Sequence, residues 1–235
     1  WFSAVEGEVY AMSSFFTALG FWAIIKWESE TDINPKANRW LIFISFLIGL
    51  SIGVHMLSLL VIPAIVLIYY FKKFRFSVSG FIIANIAAVL LLGFIYNIII
   101  PQFVNLAGKF EIFFVNELSL PFNSGTILFF AITISIIISG LVISKKHNKP
   151  HINTVILAFT FLLIGYMSFF TLIIRSNANT PIDENSPEDA VSLLSYLNRE
   201  QYGFSPLTHG QYFNTEIEGY SDGNPVYVKN KKKKK

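Results

Sequence analysis

Residues 40–71 read WLIFISFLIGLSIGVHMLSLLVIPAIVLIYYF, 32 positions without an acidic residue, a lysine or an arginine. A helix needs about 20 apolar residues to cross a hydrocarbon core, so this stretch is too long for one ordinary crossing. It contains Gly49, Gly53, His55 and Pro63, and a break at Gly53-Val54-His55 would divide it into two short helices. Loop charge chooses between one long helix and a hairpin, because lysine and arginine concentrate on the cytoplasmic side of a membrane. Basic clusters occur at Lys26, Lys36 and Arg39, at Lys72, Lys73 and Arg75, and at Lys145, Lys146 and Lys149. The segment between Ile100 and Phe122 holds only Lys109. A hairpin places all three clusters on one side and the poor segment on the other, whereas a single helix would split the clusters. The hairpin is therefore expected.

Working outward, further apolar runs lie near residues 9–25, 77–100, 122–144 and 152–174. With the hairpin halves at 40–53 and 56–71, they predict about six spans in a transmembrane domain covering 1–175. Residues 101–121, with Phe103, Phe110, Phe113, Phe114 and Leu118 among few charges, read as an outer amphipathic loop at the interface. Trp27, Trp40, Tyr69 and Tyr70 fall at span ends, where an aromatic belt is expected.

Composition agrees with lipid as the solvent. Hydrophobic residues make up 53% of the chain, against 14% charged and a mean hydropathy of +0.54; soluble domains carry roughly 25% charge. The formal charge of +3 rests on Lys229 and the run Lys231–Lys235, and without those six residues it becomes −3. A frayed lysine-rich end of this kind does not argue for nucleic acid. The chain has no cysteine, which excludes disulfides and thiolate-ligated metals. It begins at Trp1 and reads as a piece of a longer protein.

After Arg175 the chain turns polar, and 176–235 is expected to be an extracytoplasmic region of mixed α/β character. Ser186-Pro187-Glu188-Asp189 predicts a helix near 187–201, with Ser186 as N-cap, Pro187 at the first helical position and Asp189 completing a capping box. Val191, Leu194 and Leu197 give that helix an apolar stripe and Gly203 a stop. Gly219–Val228 reads as a hairpin around Asp222-Gly223-Asn224.

Several polar residues stand at the outward ends of spans. Glu6 and Glu8 precede the first one, where carboxylates meet the favourable end of the helix dipole or serve as a base or ligand. His55 sits mid-stretch at the hairpin turn, either bonded to a neighbouring helix or facing a water-filled site. Arg175, followed by Asn177 and Asn179, is a snorkelling anchor or part of a phosphate grip. Asp183, Glu184, Glu188 and Asp189 could bind a divalent cation, although helix capping and solvation account for them as well. No P-loop, nucleotide-binding glycine fingerprint, His-Glu-x-x-His or nucleophile elbow is present.

Five stretches carry a family resemblance: Trp1-Phe-Ser-Ala-Val-Glu-Gly-Glu-Val-Tyr-Ala-Met, Gly49-Leu-Ser-Ile-Gly-Val-His-Met-Leu, Leu120-Pro-Phe-Asn-Ser-Gly-Thr, Ile174-Arg-Ser-Asn-Ala-Asn-Thr-Pro-Ile-Asp-Glu-Asn and Leu193-Leu-Ser-Tyr-Leu-Asn-Arg-Glu-Gln-Tyr-Gly. In this order they resemble the bacterial multipass proteins grouped as domain-of-unknown-function family 2723, which are similar to protein O-mannosyltransferases of the GT-C class. The resemblance covers the chain except its lysine end. It implies a GT-C-like helical bundle in the bacterial cytoplasmic membrane, with its C-terminal region extracytoplasmic. It also implies transfer of a sugar from a polyprenyl-phosphate carrier to an acceptor hydroxyl, with protein as the acceptor. The carrier and membrane lipid are then the expected partners, with a divalent cation as an optional cofactor and no metal ligands assigned.

The acidic residue treated as catalytic in such enzymes is expected upstream of Trp1, so this piece alone is not expected to catalyse transfer. Glu6, Glu8, Tyr10, His55, Arg175, Asn177 and Asn179 fall within the resembling blocks as candidate donor- or substrate-binding residues. A lipid-linked sugar flippase or solute transporter, or a membrane anchor for an outer domain, remain the alternatives.

Overall fold

The computed structural model describes residues 9–178, 180, 181, 183, 185–198, 200, 210, 212, 214, 227, 229 and 230. Among these residues the fold is all-α, with no strand. The helices are α1 (Val9–Glu30), α2 (Arg39–Ile52), α3 (Val61–Lys73), α4 (Val78–Phe94), α5 (Ile100–Asn116), α6 (Ser124–Lys146), α7 (Pro150–Tyr166), α8 (Phe170–Asn177) and α9 (Ala190–Leu197). Short 3-10 turns cover Met56–Leu60 and Met167–Phe169, and a π-turn covers Ile95–Ile99. Five helical runs are long and apolar enough to cross a membrane: Val9–Glu30, Met56–Lys73, Val78–Asn116, Ser124–Lys146 and Pro150–Asn177. The sixth apolar helix, α2, has 14 residues. At 1.5 Å per residue it reaches about 21 Å, short of a hydrocarbon core of about 30 Å.

The 40–71 stretch does break, and the chemistry of the break is local. Gly53 closes α2, its N–H bonding to Leu50 O and Ser51 O. His55 is extended (φ −163°, ψ 133°) and caps the following 3-10 turn, its Nδ1 accepting from Leu57 N–H at 3.1 Å. Pro63 then falls in the first turn of α3, where its missing N–H costs nothing. Residues expected as an outer loop behave differently. Val78–Asn116 is one helical run of 39 residues, with the π-turn between α4 and α5. The amphipathic segment is therefore mostly the helix α5, and the loop proper shrinks to the turn before α6.

The chain divides into two compact units, Trp1–Ile100 with Ala131–Ile174, and Pro101–Phe130 with Arg175–Lys235. In the first, α2 and α7 cross at Gly49 and Gly165. A Cβ at Gly49 would collide with the Leu162 carbonyl oxygen and lie 2.9 Å from Tyr166 N, and one at Gly165 would strike Phe46 O and Leu50 N. Small residues let backbones approach where lipid offers no hydrophobic drive to pack helices. Tyr166 Oη donates to Ile100 O at 2.7 Å and closes the same region. Trp27, with Ala23 and Ile24, is fully buried and stacks on Tyr69, centroids 5.0 Å apart, joining α1 to α3. At that end Lys72 bridges Glu28 (2.9 Å) and Asp32 (2.8 Å), and Arg39 pairs with Glu30 (3.2 Å). The Lys72 hydrogen bond, ahead of its charge, holds the Asp32 carboxyl below its ordinary value.

In the second unit α5 meets the start of α6 through Phe103, Phe110 and Phe129, with Phe103 and Phe129 5.2 Å apart. Buried Glu111 accepts from the Asn123 and Thr126 backbone N–H groups and from Thr126 Oγ1. The C-terminal helix starts later than its sequence pattern suggests. Asp189, not Ser186, is the N-cap of α9, accepting from Val191 N–H and Ser192 N–H while Ser192 Oγ accepts from Asp189 N–H. Ser186 has φ 40°, a left-handed conformation that belongs to the preceding turn. Except for Tyr227, the hairpin expected at 219–228 lies outside the described residues, as does the stop at Gly203.

Candidate functional site

Three elements of the first unit converge on the His55 turn. The imidazole ring of His55 lies 5.3 Å from the Tyr10 ring at the start of α1, tilted by 47°. Because Nδ1 accepts the Leu57 N–H, a neutral His55 carries its proton on Nε2, a donor with no partner among the described residues. The turn is rigidified from beneath, since buried Ser58 donates its hydroxyl to His55 O at 2.7 Å. Gly53 on the other flank faces the 3-10 turn after α7, where a Cβ would lie 2.7 Å from Ser168 Oγ. The Ser168 hydroxyl is buried without a hydrogen-bond partner among the described residues. The arrangement thus offers an imidazole donor, a phenol that is 58% exposed and an unengaged buried hydroxyl beside a backbone turn.

The remaining candidates distribute unevenly. Glu6, Glu8 and Asn179 lie outside the described residues. Arg175 stands exposed in the last turn of α8, with no ion pair on its guanidinium among the described residues. Asn177 donates its amide to Glu188 O at 2.8 Å and ties α8 to the approach of α9. Tyr10 and His55 are therefore brought together within the first unit, while Arg175 and Asn177 belong to the second. Among the described residues, no three His, Asp or Glu side chains gather to hold a metal ion. The second unit also carries a cavity of about 920 Å³ between α5 and α9, where Gln102, Asn105, Lys109 and Glu117 face Ser195 and Tyr196.

Two residues escaped sequence reasoning. Ser168 carried a faint signal as a hydroxyl interrupting the apolar run 152–174. Glu111 carried a clearer one, a carboxylate inside a phenylalanine-rich stretch that must find donors if buried.

Residues 1–78 match the family described as the N-terminal domain of protein O-mannosyl-transferase TMEM260. Over that stretch the chain is similar to an O-mannosyltransferase. The matched residues take in α1, α2, the His55 turn, α3 and the first residue of α4, so Tyr10 and His55 lie inside them, as do Glu6 and Glu8. Arg175, Asn177 and Asn179 lie outside. No curated protein and no solved structure matches the chain. The family match fits a glycosyltransferase.

Proposed function

We propose that the chain is part of a membrane glycosyltransferase of the GT-C class, of the bacterial family-2723 type. In this reading the complete protein transfers a sugar from a polyprenyl-phosphate carrier to an acceptor hydroxyl, on protein, at the outer face of the cytoplasmic membrane. The observation that carries the reading is the match of residues 1–78 to an O-mannosyl-transferase domain. Two features support it. The matched segment contains the His55 turn and Tyr10, and the loop-charge pattern puts that turn opposite the basic loops.

Mechanistically, a carboxylate outside this chain would take the acceptor proton as general base. The departing phosphate leaves already charged, so it needs donors more than acids. The His55 Nε2–H, in the first unit, is assigned to that role, with Tyr10, Glu6 and Glu8 orienting sugar hydroxyls; Arg175, Asn177 and Asn179, in the second unit, are separate donor- or substrate-binding candidates implied by the resemblance. The test uses the complete protein in membranes with a labelled polyprenyl-phosphate hexose and extracytoplasmic protein acceptors. Transfer that disappears on His55→Ala, with expression unchanged, supports the reading. Absence of transfer with every carrier and acceptor, from protein shown to be folded, overturns it.

A further inference from the structure

A second site lies in the first unit, at the end away from the His55 turn. A cavity of about 490 Å³ opens between the loop after α1 and the helices α2, α3 and α7, a size within the usual range for small-molecule sites. Its lining divides into two zones. Lys73, His151, Asn34, Asn38 and Thr154 line its polar part; Leu41, Ile44, Ile48, Ile62 and Ile65 form an apolar slot. From Lys73 to Ile62 along α3 is about 16 Å at 1.5 Å per residue, half the thickness of a hydrocarbon core. The slot therefore runs about as deep as one leaflet, with the charges at its mouth.

The Lys73 ammonium and the His151 imidazole are hydrogen-bond donors of the mouth that can meet an anion. Glu28 and Asp32 are engaged by Lys72, and Glu30 by Arg39, so the nearby carboxylates already have cations. Lys73 is an exposed residue that makes no salt bridge among the described residues; its charge adds to that of Lys72 on Asp32, and its Nζ lies 5.6 Å over the Trp27 ring. His151 follows Pro150 at the start of α7, a helix whose first turn receives no side-chain cap. Its uncapped N–H groups add a favourable field for an anion beside the two side chains. A free phosphate would satisfy the mouth and leave the slot unused. A neutral lipid would fill the slot and leave the mouth uncompensated.

We infer that this cavity binds one anionic phospholipid, its phosphodiester between Lys73 and His151 and an acyl chain along Leu41, Ile48 and Ile65. By the loop-charge reading it faces the cytoplasmic leaflet, where anionic lipids meet basic pockets between transmembrane helices. The site does not depend on sugar transfer, and its test reads lipid retention alone.

The full chain, purified in neutral detergent, is titrated with phosphatidylglycerol and phosphatidylcholine of equal chain length, and bound lipid is counted by native mass spectrometry. One phosphatidylglycerol should be retained at least about tenfold more tightly than phosphatidylcholine, a difference of about 1.4 kcal/mol. Lys73→Gln with His151→Gln should abolish the preference, and Ala158→Phe, which fills the slot from α7, should weaken both lipids. Lys145→Gln with Lys146→Gln, at the end of α6 and outside the cavity, should change neither. Equal retention of the two lipids by the unaltered chain overturns the site, and needs no variant to fold. Loss of preference in the Lys145/Lys146 pair also overturns it, since that marks general surface charge. Displacement by glycerophosphoglycerol, which has no acyl chain, at the concentration where lipid binds would overturn the slot.

Discussion

Among the close approaches of helices, two contacts that meet backbone are solved in different ways. At the α2–α7 crossing, Gly49 and Gly165 set backbone against backbone, with no polar side chain between them. At the α5–α6 corner, Gly125 lies against the Phe110 backbone, but the adjoining buried group is the Glu111 carboxylate, which caps the start of α6. The first contact lies near the C-terminal ends of α2 and α7, where the N–H groups already have intrahelical partners. The second involves a helix start, where the first N–H groups lack intrahelical partners and need an acceptor. A carboxylate can be buried there because both oxygens are engaged.

The largest effect should come from breaking the first contact. Gly49→Ala places a Cβ against backbone atoms that cannot rotate away, and should cost at least about 3 kcal/mol, the upper range for overpacking. Unfolding in mixed micelles, followed by tryptophan fluorescence, would check it. Gly20→Ala is the matched control. Its Cβ would meet Val61 methyls at 3.7 Å, an ordinary contact, so the change should be neutral or stabilising by up to about 1 kcal/mol. Similar losses in both would show that the crossing is not special.

Next in size is the capped corner. Glu111→Ala leaves the Asn123 and Thr126 N–H groups and the Thr126 hydroxyl without their acceptor, and should cost about 2–3 kcal/mol. Glu111→Gln keeps one acceptor oxygen but turns an NH₂ toward a donor, and should lie between wild type and alanine. If glutamine matched wild type, one accepting oxygen would suffice, and the contrast between a dry crossing and a carboxylate-capped corner would weaken.

The two contacts also differ in how far sequence reveals them. The all-α class and the break at Gly53-Val54-His55 follow from apolar run length and loop charge, which act through lipid and need no tertiary detail. Gly49 and Gly53 stand out in an otherwise bulky run, yet their partners Gly165 and Ser168 are more than a hundred residues away and no local rule pairs them. The pairing of Tyr10 with His55 is equally non-local. The phenylalanines among few charges at 101–121 read as an amphipathic outer loop; most of that segment is helical, α5 continuing from α4 through a π-turn and placing Glu111 against α6. The start of α9 was displaced from Ser186 to Asp189 because two capping solutions lay three residues apart. Only geometry distinguishes a Ser186 in a left-handed turn from one that caps.

A third close approach sharpens the comparison, since it lies at the candidate site. Gly53→Ala would press a Cβ against the Ser168 hydroxyl, an overlap with a short side chain rather than with backbone. The cost should be about 1 kcal/mol, and Ser168→Ala should relieve most of it, because coupled neighbours are non-additive. Ser168→Ala alone removes a buried hydroxyl without a partner and should be neutral or slightly stabilising. If the same substitution lowers sugar transfer by the complete protein, the hydroxyl is retained for binding. Unchanged transfer would make it a packing feature.

The smallest effect belongs to the ion pairs at the opposite end of the first unit, where contacts are exposed rather than close-packed. Asp32 is held below its ordinary value by the Lys72 hydrogen bond, so its contribution is present above the unfolded carboxyl value of about 3.9 and fades as pH falls through the lower folded value. Stability between pH 5 and 8 should therefore not depend on this group's titration, and its acid loss should be confined to below about pH 4. Lys72→Met removes the partner for both Glu28 and Asp32, and should erase that acid-limb contribution with only a small change in neutral stability, as solvent-screened pairs do. A larger neutral loss would mean that this end, like the glycine crossing, is held by contacts with little tolerance, and the distinction between charged rim and packed interior would fail.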